Sequence, residues 1–234
     1  MAEEIDFETY LSLTKSKFEI YLFDKKNLKN LYKEELKLEN NFNYLDSEIL
    51  SKFLDNHIFK IEKIIGKFIK NICLILDDDV NLQVNICIKK KNYGNLINKK
   101  SLENVLIEVK DLFKESYQNQ TITHMIISNY LINGKNYTSF IDNLSGDNLS
   151  LEINFMSISN NTIFVFDKTL EKYQIRISQY LNGNYIKNFF NDENLELSEM
   201  ANKLQNGYNH NEIILVPKNI GNKGFFEKFF QLFS

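Results

Sequence analysis

Few residues of this 234-residue chain have the types and spacings that perform chemistry. The densest group of oxygen ligands is Asp77-Asp78-Asp79, but adjacent side chains point in different directions and no histidine lies nearby in the sequence. His57, His124 and His210 are isolated, and none shows a metal-ligand spacing. We therefore interpret the aspartates as a solvated hairpin turn and His124 as a strand residue whose hydrogen bonds are satisfied, and we expect no metal site.

Sequence motifs of catalytic and cofactor sites do not occur in the chain. It has no phosphate-binding lysine loop, no G-x-G-x-x-G and no G-x-S-x-G. Such motifs supply the close backbone approach, the cation or the exposed nucleophile that these chemistries require. The sequence therefore favours a binding protein over an enzyme, and it indicates no catalytic residue and no cofactor.

The two cysteines lie on neighbouring apolar runs. If Ile72–Leu76 and Leu82–Ile88 form a hairpin centred near Val80, then Cys73 and Cys87 face each other, and a disulfide between them is geometrically conceivable. A cytoplasmic protein keeps such thiols reduced. We therefore interpret both cysteines as small buried hydrophobic residues.

Composition and charge exclude several classes of function. Apolar residues make up 43% of the chain and charged residues 25%, which is ordinary for a globular protein. A net charge of −3 provides no basic field for nucleic acid. No run approaches the ~18 apolar residues of a membrane-spanning helix, and the acidic start Met1–Asp6 is unlike a signal peptide. We expect a cytoplasmic protein that does not bind nucleic acid.

Hydrophobic periodicity predicts alternating strands and helices, which indicates a mixed α/β fold. The predicted strands are Phe18–Phe23, Leu28–Leu38, Ile72–Leu76, Leu82–Ile88, Ile122–Ile132, Leu149–Phe155, Tyr173–Tyr180 and Ile213–Val216. The predicted helices are Ser47–Ile69, a helix that opens at Ser101–Asn104, Asn161–Lys172 and a short helix near Leu195–Leu204.

Two of the predicted helices have a distinct apolar face. The face of the first contains Ile49, Phe53, Ile61, Ile64, Ile65 and Phe68. The face of the helix that begins at Ser101 contains Leu102, Val105, Leu106, Val109, Leu112 and Phe113. We expect this second helix to cover one face of a sheet and to bury Leu102, Val105, Leu106, Val109 and Phe113.

The end of the chain has the most segregated apolar pattern. Wound as a helix at ~100° per residue, residues 224–234 place six large apolar side chains in one arc of roughly 160°. These side chains are Phe225, Phe226, Phe229, Phe230, Leu232 and Phe233. Such a face must be buried against the chain's own body, a partner's groove or a lipid surface. We take these six residues, with Lys223 and Lys228, as the candidate residues for binding a membrane or a partner.

The order of the elements resembles that of FtsA, the actin-like protein that ties the bacterial division ring to the inner membrane. Lys17–Leu38 and Ser47–Ile69 are similar to the opening strands and helix of the family's actin-like core. Asn161–Tyr180 is similar to the helix and strand by which the family's chain returns to that core. Gly221–Ser234 resembles the family's C-terminal amphipathic helix, which lies on a flexible linker and binds membrane.

The resemblance also implies an inserted subdomain. In the family this is a small domain of strand-helix-strand-strand (SHS2) type, and the similar segments here are Asn71–Leu76, Ser101–Tyr117, Thr121–Ile132 and Leu149–Phe155. The implied fold is a partial actin-like (ribonuclease-H-like) sheet with an inserted SHS2 subdomain. The implied organisation has four parts. Residues 1–70 form the first part of the core, and residues 71–158 form the inserted subdomain. Residues 159–217 return to the core, and residues 218–234 form a linker with the C-terminal helix.

The aligned phosphate-binding turn departs from the family pattern. The family has an aspartate there, then Gly-Thr and a small polar residue, whereas this chain has Leu11–Lys17. Ser12 replaces the acidic residue that reaches the Mg²⁺–nucleotide, and Thr14 replaces the glycine that lets the backbone approach phosphate. The family's second phosphate turn and adenosine site belong to a half of the fold that a chain of this length is too short to contain. We expect neither ATP binding nor ATP hydrolysis.

Three hypotheses of function follow. The first is a non-catalytic, FtsA-like adaptor in cell division, which contacts protein partners such as division-ring components and touches the inner-membrane surface weakly through its tail, with self-association left open. The second is a scaffold of the type found among actin-like pilus-assembly proteins. The third is an unrelated enzyme or small-molecule-binding protein whose site uses scattered residues, which a large apolar pocket with converging polar groups would favour.

Overall fold

The computed structural model describes residues 6–38, 47–77, 81–141 and 144–213. Within these ranges the chain forms eleven strands and five helices. The strands are β1 (Phe7–Leu13), β2 (Lys17–Asp24), β3 (Lys29–Lys37), β4 (Asn71–Leu76), β5 (Asn81–Lys91), β6 (Leu96–Ile97), β7 (Gln120–Ile132), β8 (Lys135–Tyr137), β9 (Leu144–Ser145), β10 (Asn148–Ser159) and β11 (Arg176–Asn182). The helices are α1 (Ser47–Ile65), α2 (Lys99–Ser116), α3 (Asn160–Glu171), α4 (Gly183–Phe190) and α5 (Leu197–Gln205).

The described residues divide into two compact units. The first unit contains the residues up to Asn81 and those from Ser159 to Lys203. The second unit contains Leu82–Ile158 and the residues from Leu204 onwards. In the sequence, the second unit therefore interrupts the first between β4 and α3.

The first unit is built on a five-stranded sheet in the order β11-β4-β1-β2-β3. β1, β2 and β3 form an antiparallel meander, whereas β4 runs parallel to both β1 and β11. All residues from Phe18 to Asp24 in β2 and from Ile72 to Leu76 in β4 are buried. Continuous burial is typical of strands in a sheet that is covered on both faces.

Helices cover both faces of this sheet. On one face, Phe53 of α1 packs edge-to-face on Phe18 of β2, with the ring centroids 6.0 Å apart, and α3 contacts both α1 and β11. On the other face, the Asn202 side chain of α5 forms a hydrogen bond with Tyr10 of β1. The β2 and β3 strands and the α3 helix lie where the sequence predicts them.

The second unit contains a four-stranded sheet in the order β5-β10-β7-β8 and the short pair β6-β9. Its helix, α2, begins at Lys99, two residues before the predicted start, because Asn98 caps it. The Asn98 side chain accepts the Ser101 N–H at 3.0 Å, and the Ser101 hydroxyl accepts the Asn98 N–H at 3.1 Å. This reciprocal capping box satisfies two backbone donors that the helix itself leaves without partners.

The apolar face of α2 forms the core of the second unit with its sheet, as the sequence predicts. The five residues expected to be buried are buried: Leu102, Val105, Leu106, Val109 and Phe113. The Phe113 ring stacks on Phe155 of β10 with a centroid distance of 4.7 Å. Leu112 is 48% exposed and lies outside this face.

The predicted hairpin of the cysteine-bearing runs is wrong. β4 lies between β1 and β11 in the first sheet, whereas β5 pairs with β10 in the second. The apolar run of β4 is buried on both faces, whereas β5 alternates and buries only one face, so the two strands suit different sheets. Cys73 is buried, which raises the pKa of its thiol, but Cys87 is exposed. Asn71–Leu76 therefore belongs to the core sheet and not to the inserted subdomain.

The helix predicted over Ser47–Ile69 ends early. Its last residue is Ile65, and Gly66 follows with a φ of +70°, the left-handed conformation that commonly ends a helix. Phe68 therefore lies outside the helix and is 80% exposed, and Ile64 is 42% exposed, so neither residue belongs to the buried face. The buried residues of α1 are Leu50, Phe53, Leu54, Ile58 and Ile61. The sequence pattern predicted neither the β1 strand nor the α4 helix.

We expect Leu106→Ala in α2 to destabilise the protein by about 2–5 kcal/mol, because it leaves a cavity in a fully buried apolar core. The measurement is the free energy of unfolding from urea denaturation. Leu112→Ala on the same helix is the matched control, and its effect should stay within about 0.5 kcal/mol since the side chain is half exposed. Equal losses in the two variants would contradict the assignment of the buried face.

Candidate functional site

The carboxyl ends of the parallel strands β1, β4 and β11 meet at one edge of the first sheet. Leu13, the last residue of β1, pairs with Leu76 at the end of β4, and Leu76 pairs with Asn182 at the end of β11. Ligands of open α/β sheets bind outside this edge, and the resemblance to FtsA places the first phosphate turn here. Three features follow the strand ends: the Thr14–Ser16 turn, Asp77 and the start of α4.

The turn after β1 is closed by its own side chain. Thr14 Oγ1 accepts hydrogen bonds from the backbone N–H groups of Ser16 at 3.2 Å and Lys17 at 3.0 Å. The Thr14 hydroxyl also lies 3.1 Å from the Lys17 carbonyl, which accepts the Thr14 N–H at 3.0 Å. A phosphate-binding turn has to offer such N–H groups to its ligand. Here the buried Thr14 side chain takes them.

Ser12 lies inside β1 and is 1% exposed. It pairs with Glu19 of β2 on one side and with Ile75 of β4 on the other. A serine at this position supplies no carboxylate for a cation. Ser12 therefore lies inside a strand that the sequence pattern did not predict, whereas Thr14 lies in the turn that the resemblance places here, and neither side chain carries a charge.

The end of β4 adds a negative charge to the same edge. Asp77 Oδ1 lies 3.4 Å from Nζ of Lys187 in α4, and a Cβ atom on Gly183 would lie 2.7 Å from that oxygen. A carboxylate this close to a helix N-terminus stabilises the positive end of the helix dipole and repels a second anion. Asn182 caps α4 by accepting the Tyr185 N–H at 2.7 Å. The start of α4 therefore carries a carboxylate and a side-chain cap of the protein itself.

Two of the three histidines have structural partners. His57 Nδ1 lies 2.7 Å from the Tyr32 hydroxyl, and burial lowers the pKa of the ring. His124 is fully buried in β7, with Nδ1 3.4 Å from Glu212 Oε2, which confirms its interpretation as a satisfied strand residue. Within the described ranges, no three His, Cys, Asp or Glu side chains come together as metal ligands. Asp78 and Asp79 of the predicted turn lie outside those ranges.

The first unit has an exposed surface that the sequence pattern did not predict. It consists of the second half of α1 and the loop to β4, and we call it the Phe68 surface: Phe59, Lys60, Lys63, Lys67, Phe68 and Lys70. Phe59 is 73% exposed and Phe68 is 80% exposed. Helical periodicity assigns Phe68 to the buried face of α1 because the apolar pattern continues past Gly66. The glycine itself is the signal that could have placed the end of the helix.

The candidate residues of the tail lie outside the described residues, and their role stays a prediction. The last described residues form backbone hydrogen bonds with β7. The Ile213 N–H donates to the Met125 carbonyl at 2.8 Å, and the Ile127 N–H donates to the Asn211 carbonyl at 3.0 Å. Of the predicted strand Ile213–Val216, only Ile213 is described. No described helix has both the length and the apolar character needed to cross a bilayer.

No family model matches the chain, and no curated protein matches it. Solved structures match by fold. A structure of the PilM–PilN type IV pilus biogenesis complex aligns with a TM-score of 0.51 over 78% of this chain and 49% of the other, at 5% identity. The cytoplasmic domain of EpsL, an inner-membrane component of the Vibrio cholerae type II secretion system, aligns with a TM-score of 0.41 over 77% and 59%, at 6% identity. A Bacteroides thetaiotaomicron protein with an actin-like ATPase fold and unknown function aligns with a TM-score of 0.32 over 80% and 56%, at 11% identity.

The sheet topology and the structural likeness define the class of fold. The chain has a mixed α/β, partial actin-like fold, as the resemblance implies. At 5% identity the likeness concerns the fold alone, and the chain spans about half the length, 49%, of the PilM–PilN chain that it matches. The specific relation to FtsA stays a prediction.

We expect Thr14→Val to destabilise the protein by about 1–3 kcal/mol, because it leaves the Ser16 and Lys17 N–H groups without their acceptor. Thr14→Ser keeps the hydroxyl and is the matched control. Urea denaturation of the two variants measures the difference. A valine variant as stable as the serine variant would mean that the hydroxyl does not hold these N–H groups, which would then be available to a ligand.

Proposed function

We propose that this protein is a non-catalytic adaptor of partial actin-like fold, which works through contacts with other proteins and through weak attachment to a membrane surface. The closed turn after β1 carries this proposal. The backbone donors that a phosphate turn would offer to ATP form hydrogen bonds with Thr14 Oγ1 instead. Nucleotide binding at this edge would have to break those hydrogen bonds before making its own.

The negative charge of Asp77 at the strand ends supports the same proposal. A phosphate at the start of α4 would meet the Asp77 carboxylate and would compete with it for Lys187. It would also find the Tyr185 N–H already bonded to Asn182. Each of these interactions stabilises the protein without a ligand, so the edge is built as a structural part of the sheet.

We further infer that the second unit corresponds to the family's inserted SHS2 subdomain. Its larger elements run β5, α2, β7 and β10, which is a strand-helix-strand-strand order, and α2 covers one face of the sheet. The return to the core would then run from 159 to 217, and the linker and C-terminal helix from 218 to 234.

The tail is proposed as a reversible anchor to the cytoplasmic side of the inner membrane. Six apolar side chains contribute roughly 1.5–3 kcal/mol each when fully buried, and less on a surface helix. Ordering the backbone costs about 1–2 kcal/mol for each residue, offset in part by the hydrogen bonds of the helix. One tail therefore attaches weakly, and firm attachment requires several tails together.

Two cellular settings fit this adaptor. The element order and the tail favour the FtsA-like role in cell division. The likeness in fold to a chain of the PilM–PilN complex favours the scaffold of pilus assembly. Affinity purification from the native cell would separate them: division-ring components would support the first setting, and pilus-assembly proteins the second. No observation on the described residues favours the small-molecule hypothesis specifically.

We expect Mg-ATP to leave the stability of the protein unchanged. A site with a dissociation constant near 10 μM would add about 2.7 kcal/mol of stability at 1 mM nucleotide. Thermal unfolding with and without about 1 mM Mg-ATP measures this, with magnesium sulfate at equal ionic strength as the control. A rise in Tm with ATP alone, or saturable heat in an isothermal titration, would overturn the non-catalytic assignment.

We expect Phe226→Asp/Phe229→Asp in the full chain to abolish binding of the tail to neutral phosphatidylcholine vesicles, because it places two charges in the apolar face. The measurement is vesicle co-sedimentation, and circular dichroism checks that the body remains folded. Glu227→Gln/Gln231→Glu changes the polar face of the same tail and should leave this binding intact. If the double aspartate variant unfolds, the tail is part of the protein's own core and the anchor proposal fails.

A further inference from the structure

The Phe68 surface is strongly cationic in a chain of net charge −3. Between Phe59 and Lys70 there are four lysines and a single acidic residue, Glu62. The Glu62 carboxylate accepts the Ile69 N–H at 3.0 Å, so it is used in folding the loop. Because lysine is common throughout this chain, the informative feature is the scarcity of acidic residues next to two exposed aromatic rings.

The geometry of α1 places these groups on one outer surface. Ile58 and Ile61 face the core, whereas Phe59 and Lys63 are exposed and, being four residues apart, lie on the same side of the helix. Phe59 lies about 9 Å from the end of α1, at 1.5 Å per residue. Phe68 follows three residues after that end, beyond Gly66.

On one side of Phe68 is an open groove of about 850 Å³, which Lys67 also lines. Two acidic residues, Asp6 and Glu8, lie in this groove. Both are neutralised in part by Lys25, whose Nζ lies 2.8 Å from Asp6 and 4.0 Å from Glu8. One lysine offsets one of these two negative charges, so the four lysines of the Phe68 surface outnumber the acidic charge that remains in the groove.

On the other side of Phe68 is a groove of about 920 Å³ that extends the cationic region. Lys70, Lys172 and Arg176, the only arginine of the chain, line it. Neither Lys70 nor Arg176 forms an ion pair with a described residue. The surface thus joins two protruding phenylalanines to a set of lysines, and the groove beside it adds Lys172 and Arg176.

We propose that the Phe68 surface binds an anionic lipid bilayer, with Phe59 and Phe68 inserted at the level of the headgroups and the lysines facing lipid phosphates. Aromatic side chains at the bilayer interface and clusters of lysine beside them are the features that anionic membranes bind. This contact lies on the first unit and does not depend on the tail. It adds a second membrane contact to the proposed function.

Exposure and charge type favour a bilayer over an acidic peptide. A peptide groove keeps its aromatic anchors largely covered in pockets, whereas Phe59 and Phe68 are 73% and 80% exposed. The cations that flank the two phenylalanines on α1 and its loop are lysines, which act as point charges and lack the planar fork that pairs with a carboxylate. The single guanidinium, that of Arg176, lies in the adjacent groove. The lysines are also spread along a helix and a loop, which suits an extended charged plane.

The test uses the full chain carrying Phe226→Asp/Phe229→Asp, so that the tail does not contribute. We expect this protein to bind vesicles with roughly 30% phosphatidylserine, to ignore pure phosphatidylcholine, and to be released at about 0.3 M salt. Adding Phe68→Ser, or Lys60→Gln with Lys63→Gln, should weaken this binding roughly tenfold to thirtyfold. Both lysines are exposed on α1, so the fold should survive.

Matched controls remove the same groups elsewhere in the same background. They are Lys89→Gln with Lys91→Gln on β5, and Phe164→Ser on α3, whose side chain is 58% exposed. These controls should leave binding unchanged. Loss of binding in the controls, or no binding of the tail variant to anionic vesicles, would overturn the proposal.

A protein interface would give a different result. In that case the Phe68 variants would lose a partner protein while binding to anionic vesicles is absent throughout, and the membrane proposal would be wrong. Failure of the tail anchor is seen separately, with the unmodified chain on neutral vesicles. The two membrane proposals therefore fail independently.

Discussion

The first unit depends on the parallel pairing of β4 with β1 and with β11. The residues of β4 pair with residues 63 positions earlier in β1 and roughly 105 positions later in β11, and Leu82–Ile158 of the second unit lies between β4 and β11. Closing such a long connection costs chain entropy, and the continuous burial of Ile72–Leu76 offsets that cost. The same pairing brings three strand ends to one edge, so it creates the place where an actin-like protein would hold its nucleotide.

At that edge the side chains of the protein form contacts with one another and with the backbone. The Thr14 hydroxyl accepts two backbone N–H groups, Asp77 and Lys187 form an ion pair, and Asn182 caps α4. The Ser16 and Lys17 N–H groups have the Thr14 hydroxyl as their acceptor, so they need no ligand to satisfy them. These contacts stabilise the edge of the sheet, and they are consistent with the proposed role of the protein as a non-catalytic adaptor.

The adaptor that we propose would bind its partners and the membrane through its surfaces. The first unit presents exposed phenylalanines among lysines at the end of α1, whereas the second unit has its core under α2. The strength of weak surface contacts rises steeply when several act on one membrane, since every further contact forms at a high effective concentration. An adaptor with more than one modest contact can therefore bind firmly as an assembly and dissociate readily as a single molecule.

The sequence by itself determined the elements whose signals are local. The α2 face follows from apolar residues three and four apart, and β10 from strict alternation. β2 follows from an apolar run, and β3 from its place after a polar turn as the hairpin partner of β2. Ser12 and Thr14 also carry the prediction that phosphate does not bind, because a serine supplies no carboxylate and a threonine does not allow the close backbone approach of a glycine. The end of α1 depends on Gly66, but the apolar periodicity continues past this glycine and therefore predicts a helix that is too long.

Only the tertiary structure decided the rest. It separated β4 from β5 into different sheets, exposed Cys87 and Phe68, and turned the Thr14 hydroxyl onto the donors of its own turn. These outcomes depend on which strand lies beside which, and on what covers each face. Periodicity and capping depend on a few neighbouring residues. Which strand pairs with which depends on how well each possible pairing buries apolar residues that are far apart in the sequence.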